Sequence, residues 1–177
     1  MKIGIDISQI AYGGTGVAQY AKSLIEELLT VDEANEYILF FSSLRRTIPH
    51  FAEALRGKQN FKIKRFRFPP LFLNILWNRL HIVPIERLIG DVDVFITSDW
   101  TEPPTIKAKK ATILYDLIVY KYPNETDKKI VEVQKRKLKW VKRESNIVFC
   151  ISESTKKDAM EILGIDNKRL KVILPGI

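Results

Sequence analysis

Seven short apolar runs punctuate the chain, at Lys2–Ile7, Tyr37–Ser42, Phe61–Phe66, Val92–Thr97, Ala111–Tyr115, Asn146–Ile151 and Leu170–Leu174. Several are continuous rather than alternating, the pattern of strands covered on both faces. Helical periods lie between most of them. Val17, Tyr20, Ala21, Leu24, Ile25, Leu28 and Leu29 follow the i, i+3, i+4, i+7 template. A second segment, Asp127 to Glu144, carries Ile130, Val133, Leu138 and Val141 among many basic residues. A third starts at Ser152, suited to an N-cap, and stops at Gly164, suited to a C′ position. Strands alternating with helices imply βαβ units and a mostly parallel sheet. The pattern therefore predicts one doubly wound α/β domain over residues 1–177.

In such sheets ligands bind beyond the carboxyl ends of the strands. That directs attention to the loops Ser8–Gly16, Ser98–Thr105, Asp116–Thr126 and Ser152–Thr155. The first holds Gly13-Gly14-Thr15-Gly16 directly before a helix, where unpaired N–H groups and the helix dipole favour an anion such as phosphate. The spacing is neither a full G-x-G-x-x-G nor a P-loop, so a βα loop without a ligand is the competing reading. The second loop offers Asp99, Trp100 and Glu102. In the third, Asp116 follows Tyr115 at a strand end, and an Asx-turn is the alternative role for that aspartate. His50 and His81 fall in none of these loops, and no metal-ligand spacing is visible.

Composition adds limits. Of 177 residues, 46% are hydrophobic and 28% charged, ordinary for a globular domain large enough to bury a core. The single Cys150 cannot form an internal disulfide, which favours a reducing compartment. Its apolar neighbours mark it as a buried, inert thiol. The chain opens on a strand-like pattern, so no secretory leader is expected, and no run approaches the roughly 18 apolar residues of a membrane span.

A net charge of +8 suits nucleic acid, an anionic membrane surface or an anionic small substrate. No helix-turn-helix, RNP-like or zinc-finger pattern appears, so nucleic acid is not an expected partner. Lys58, Lys62, Lys64, Arg65 and Arg67 run into Phe66, Phe68, Pro69, Pro70, Leu71, Phe72, Leu73, Ile75, Leu76 and Trp77. Exposed, that stretch would suit a bilayer surface or a lipid-bearing substrate. Buried, Leu71–Leu80 is a core-facing crossover helix. The basic cluster Lys135, Arg136, Lys137, Lys139, Lys142 and Arg143 reads as a solvated helix face.

Four segments carry a family resemblance: Ile3-Gly4-Ile5-Asp6 with Gly14-Thr15-Gly16-Val17 and Tyr20; Leu76-Trp77-Asn78-Arg79-Leu80 before Val92-Asp93-Val94-Phe95; Ala111 to Pro123 with its Tyr-Asp-Leu-Ile; and Ile151 to Asp158 through Leu163-Gly164-Ile165 to Leu174-Pro175-Gly176-Ile177. Together they resemble the N-terminal half of a family-4 retaining glycosyltransferase, an enzyme of two Rossmann-like domains (the GT-B fold). The resemblance implies a Rossmann-like, mostly parallel sheet with helices on both faces and an acceptor-binding role. It implies that Gly14, Thr15 and Gly16 face the diphosphate and sugar of a nucleotide-sugar donor, which serves as co-substrate in the absence of any other cofactor or metal. It makes Asp116 and Tyr115 the catalytic candidates and Asp99, Trp100 and Glu102 the acceptor wall. The nucleotide would be held by a C-terminal domain that this chain does not contain. The acceptor would be a saccharide or lipid-linked saccharide of polysaccharide or glycolipid assembly, in the cytoplasm, with peripheral contact at the inner face of a membrane. Where the family has histidine before the aspartate, this chain has Tyr115, which donates a hydrogen bond rather than exchanging a proton near neutrality. A nucleotide- or anion-binding module without turnover is the alternative reading.

Overall fold

Seven apolar runs become seven parallel strands in a computed structural model that describes residues 1–48 and 60–175. His50, Lys58, Gly176 and Ile177 lie outside the described residues. The strands are β1 (Lys2–Asp6), β2 (Glu36–Ser42), β3 (Phe61–Phe66), β4 (Val94–Thr97), β5 (Lys109–Leu114), β6 (Ile147–Cys150) and β7 (Leu170–Val172), in spatial order β3-β2-β1-β4-β5-β6-β7. The sheet is wholly parallel, a Rossmann-like doubly wound arrangement. The direction of winding reverses between β1 and β4, so the crevice that such folds use opens there.

Local chemistry sets the helices. Helix α1 (Gly16–Val31) begins where the Thr15 hydroxyl accepts the Ala18 N–H, and buries Ala18, Ala21, Ile25 and Leu29 on one face. Asp127 and Ser152 cap α5 (Lys128–Glu144) and α6 (Glu153–Glu161) in the same manner. Short helices α2 (Pro70–Leu73) and α3 (Glu86–Ile89) lie between β3 and β4, α2 running directly into a π-helical turn, Asn74–Arg79, and α4 (Ile118–Lys121) precedes α5 between β5 and β6. Among the described residues no helix is long and apolar enough to cross a membrane.

Side-chain alternation along β2 separates two apolar layers. Leu39 and Phe41 pack with Ile5, Ile25 and Leu29 beneath α1. Ile38 and Phe40 face the other way, onto Leu73, Trp77, Ile85, Ile89 and Phe95. A third cluster, on β5, β6 and β7, holds Leu138, Val141, Ala159 and Leu163 against Leu114, Val148, Cys150 and Leu170. By strand register the last two clusters share one face of the sheet, and a polar layer lies between them. There Glu102, fully buried, accepts the Thr97 hydroxyl (2.6 Å) and pairs with the buried Lys110 ammonium (3.1 Å), which also reaches Glu144 (2.9 Å). Burying two charges is costly unless both are paired and hydrogen-bonded, and here both are.

Candidate functional site

Strand β1 ends on Asp6 and β4 on Thr97, and the chain between β4 and β5 is a long loop, residues 98–108, with no helix of its own. Three buried groups hold that loop. The Asn78 amide, on the π-helical turn, donates to the Trp100 carbonyl (2.8 Å) and accepts the Glu102 N–H (3.0 Å). Glu86 Oε1 accepts the N–H groups of Ile106, Lys107 and Ala108 (2.8–3.0 Å). The Lys137 ammonium donates to the Ser98 carbonyl from below.

At the reversal point these elements enclose a cavity of about 420 Å³. Asp6, Ser8, Gln9 and Ser42 line it from the strand ends, Tyr12, Thr15 and Val17 from the glycine loop and α1, Pro70 and Leu73 from α2, and Asp99, Trp100 and Thr101 from the β4–β5 loop. Its lining is mostly apolar but includes the polar residues Asp6, Ser8, Gln9 and Asp99. Asp6 is 5% exposed, and its Oδ1 accepts the Ser8 N–H (2.9 Å). Burial pushes the Asp6 carboxyl up, against the opposing pull of Ser8 and of Lys137. Asp99 is likewise pushed up by burial, while Lys137 and a hydrogen bond from Gln134 pull it down. Gln9 is buried, and its Oε1 has no hydrogen-bond partner among the described residues. A buried acceptor without a donor is costly to the fold.

A second cavity, about 270 Å³, shares Val17, Asp99 and Trp100 with the first and is also lined by Tyr115, Asp116 and Gln134. The Tyr115 hydroxyl exchanges a hydrogen bond with Ser98 (2.8 Å), and its ring meets Tyr20 edge-on at 5.6 Å. Burial holds this phenol well above its ordinary range, so it remains protonated. Asp116 is exposed. Its Oδ1 accepts the Ile118 N–H (3.0 Å), forming the Asx-turn that its position allowed.

The expected site residues are thus brought together in large part. Thr15, Asp99 and Trp100 line the first cavity and Tyr115 and Asp116 the second, while Gly14 and Gly16, the chain neighbours of Thr15, line neither. Glu102 is the correction: its carboxylate is 0% exposed and lines neither cavity, because Thr97, Thr112 and Lys110 hold it inside the domain. It supports the wall from behind. Gly14 adopts φ 89°, which favours glycine, whereas a Cβ on Gly13 or Gly16 would meet nothing within 4 Å. Among the described residues no contact requires glycine at those two positions.

The residues that the sequence reading passed over are Asp6, Ser8, Gln9, Ser42, Arg46, Gln134 and Lys137. Arg46 lies 4.5 Å from the centre of the Tyr12 ring and donates to the Ala11 carbonyl (3.0 Å), placing a guanidinium beside the glycine loop. Lys137 is 2% exposed rather than solvated, and burial depresses its pKa while Glu102, Asp99 and Asp6 oppose the shift. Sequence reading grouped it with the solvated basic face; the signal against that is its spacing from Ile130, Val133 and Val141, at i+7, i+4 and i−4, which puts it on the apolar side of α5. No protein-family model matches this chain, and no curated protein matches it significantly.

Proposed function

We propose that this protein is the acceptor-binding half of a retaining glycosyltransferase, its main cavity receiving a hydroxyl-bearing saccharide. The observation that carries the reading is the cavity lining, where Asp6, Gln9 and Asp99 stand with the Trp100 and Tyr12 rings. Sugar hydroxyls supply the protons that these acceptors need, and aromatic rings suit the C–H faces of a pyranose. A phosphate against the same lining would add only negative charge, which disfavours the anion-module reading. The transferred sugar would come from a nucleotide-sugar donor held by a second domain. The Gly14-Thr15-Gly16 turn would meet its diphosphate, with Arg46 supplying positive charge beside it.

Catalysis on this reading comes from positioning and fixed charge rather than from a reactive side chain. Asp116 would orient the attacking hydroxyl at the second cavity, and Tyr115, kept protonated by burial, would act as a hydrogen-bonding wall. A lipid-linked acceptor and work at the inner face of a membrane, on the cytoplasmic side, belong to the same proposal. The apolar residues at the α2 rim of the cavity support them.

Ligand-observed NMR with short oligosaccharides and nucleotide sugars tests the proposal, using Asp6→Asn. A carboxyl whose pKa is raised by the fold loses stability as the pH rises through that raised value. The asparagine variant is therefore expected to be at least as stable as the parent at neutral pH, with the difference closing in acid. Saccharide binding should weaken about tenfold through loss of a charge-assisted hydrogen bond. No saccharide response, together with nucleotide binding abolished by Gly14→Val, would leave a nucleotide module in place of a half-enzyme.

A further inference from the structure

Helix α2 and the π-helical turn behind it present two opposite sides. Leu73 and Trp77 point inward, and an aromatic ladder runs from Trp77 through Phe40, Phe66 and Phe68 to Phe72, each neighbouring pair of rings 5.3–5.5 Å apart. Leu71, Phe72, Ile75, Leu80 and Ile82 are 39–68% exposed. Leu71 and Ile75 are one α-helical turn apart, and the Leu80 N–H donates to the Ile75 carbonyl (2.9 Å), one π turn further. The wider turn keeps Leu71, Ile75 and Leu80 on one outward line while Trp77 remains in the core. A row of large exposed apolar side chains on a surface helix marks an interaction site.

The charge around the row selects its partner. From Asn60 to Ile85 there is no Asp or Glu, whereas Lys62, Lys64, Arg67 and Arg79 are all exposed. By register Lys62 and Lys64 lie beside Ile38 and Phe40, on the face of the sheet that α2 covers. The basic side chains therefore border the apolar row. A second copy of this chain docked by a two-fold axis would set these cations against one another. A negatively charged surface with an apolar interior matches both parts of the patch.

We infer that the ridge formed by Leu71, Phe72, Ile75, Leu80 and Ile82, bordered by Lys62, Lys64, Arg67 and Arg79, docks the protein on an anionic lipid bilayer. The apolar side chains enter the headgroup boundary, and the cations sit against lipid phosphates. Pro70 and Leu73 at the root of the ridge also line the main cavity, so docking sets the cavity mouth beside the bilayer. The inference deepens the membrane-side part of the proposed function, and its test is separable from the saccharide part: vesicle binding needs no occupied cavity, and saccharide binding needs no vesicle.

The test is co-sedimentation of the whole chain with phosphatidylcholine vesicles that contain or lack phosphatidylglycerol. Binding is expected only with the anionic lipid and should fall as salt is raised. Leu71→Ser/Ile75→Ser should weaken it at least about tenfold with net charge unchanged. Lys62→Gln/Lys64→Gln should weaken it by more than about tenfold, since each cation near such a surface contributes about fivefold. Lys168→Gln/Lys171→Gln removes equal charge at the opposite edge of the sheet and should leave binding within about twofold. All substituted positions are exposed, and unchanged circular dichroism and melting temperature confirm the folded state. Three results would overturn the inference: no binding to anionic vesicles, undiminished binding by the serine variant, or a dimer that the serine variant dissolves.

Discussion

Replacing Glu86 by glutamine removes one charge and almost no volume, and its effect can be worked from three hydrogen bonds. Glu86 Oε1 accepts the N–H groups of Ile106, Lys107 and Ala108 at 2.8, 3.0 and 3.0 Å, closing the loop that carries Asp99 and Trp100. A hydrogen bond to a charged acceptor contributes about 1.5–3 kcal/mol and a neutral one about 0.5–1.5 kcal/mol, so three bonds lose at most roughly 3–4 kcal/mol. Three donors share one oxygen and the loop can relax, so about 2 kcal/mol is expected. For a chain of this size that lowers Tm by about 4–8 °C. Glu86→Ala strands all three donors and should cost about 3–5 kcal/mol.

The same geometry fixes the pH dependence. Burial pushes the Glu86 carboxyl up, but the N–H groups of Ala108, Lys107 and Ile106 outweigh it and hold the pKa below its ordinary value. A depressed carboxyl stabilises the fold above its unfolded pKa and loses that stabilisation as pH falls through the folded one. The gap between parent and Glu86→Gln should therefore be constant near neutrality and shrink below about pH 4. Urea unfolding followed by tryptophan fluorescence measures the gap, and hydrogen exchange at Ile106, Lys107 and Ala108 localises it. A difference under about 0.5 kcal/mol, or one that persists unchanged in acid, refutes the reasoning.

Glu102→Ala deprives the buried Lys110 of one of its two carboxylate partners and should destabilise the domain by about 3–5 kcal/mol in urea. A much smaller loss would mean that Glu144 alone suffices. Gly4→Ala would place a Cβ 2.7 Å from Phe95 Cδ2 and 2.9 Å from Ile89 Cδ1 in a filled core, at a cost of about 1–3 kcal/mol readable as a fall in Tm. Cys150 is wholly buried, and desolvation pushes its thiol up to about 11, so iodoacetamide at mildly alkaline pH should label it only after unfolding. Prompt labelling of the native chain would place that thiol outside the core.

The sequence by itself determined the seven strands, the three long helices and the parallel α/β class. Those features rest on periodicity and caps, which act between residues a few positions apart. Ser152 caps the helix that its position announced, and Thr15 and Asp127 cap the other two. The loops at the carboxyl ends of the strands were also legible, because parallel topology places them together. The contents of the site were legible in part. Asp99 and Trp100 were picked out from loop chemistry, whereas Asp6 was read only as part of the first strand and of the family resemblance. Its role depends on β4 lying beside β1, although the two are far apart in sequence.

Only the tertiary structure decided which charged groups are buried. Glu102 and Trp100 are near neighbours in one loop, yet one is fully enclosed and the other 38% exposed, because β5 offers Thr112 and Lys110 to the carboxylate. Helix α5 shows the same dependence. The basic residues of that helix look alike in composition, but Lys137 turns beneath the loop to reach Ser98, and Trp140 stacks on His81 at 3.6 Å. Local pattern sets where a chain turns and which side of a helix is apolar. A buried charge is tolerated only where distant strands bring its partners, and that placement exists only once the sheet has formed.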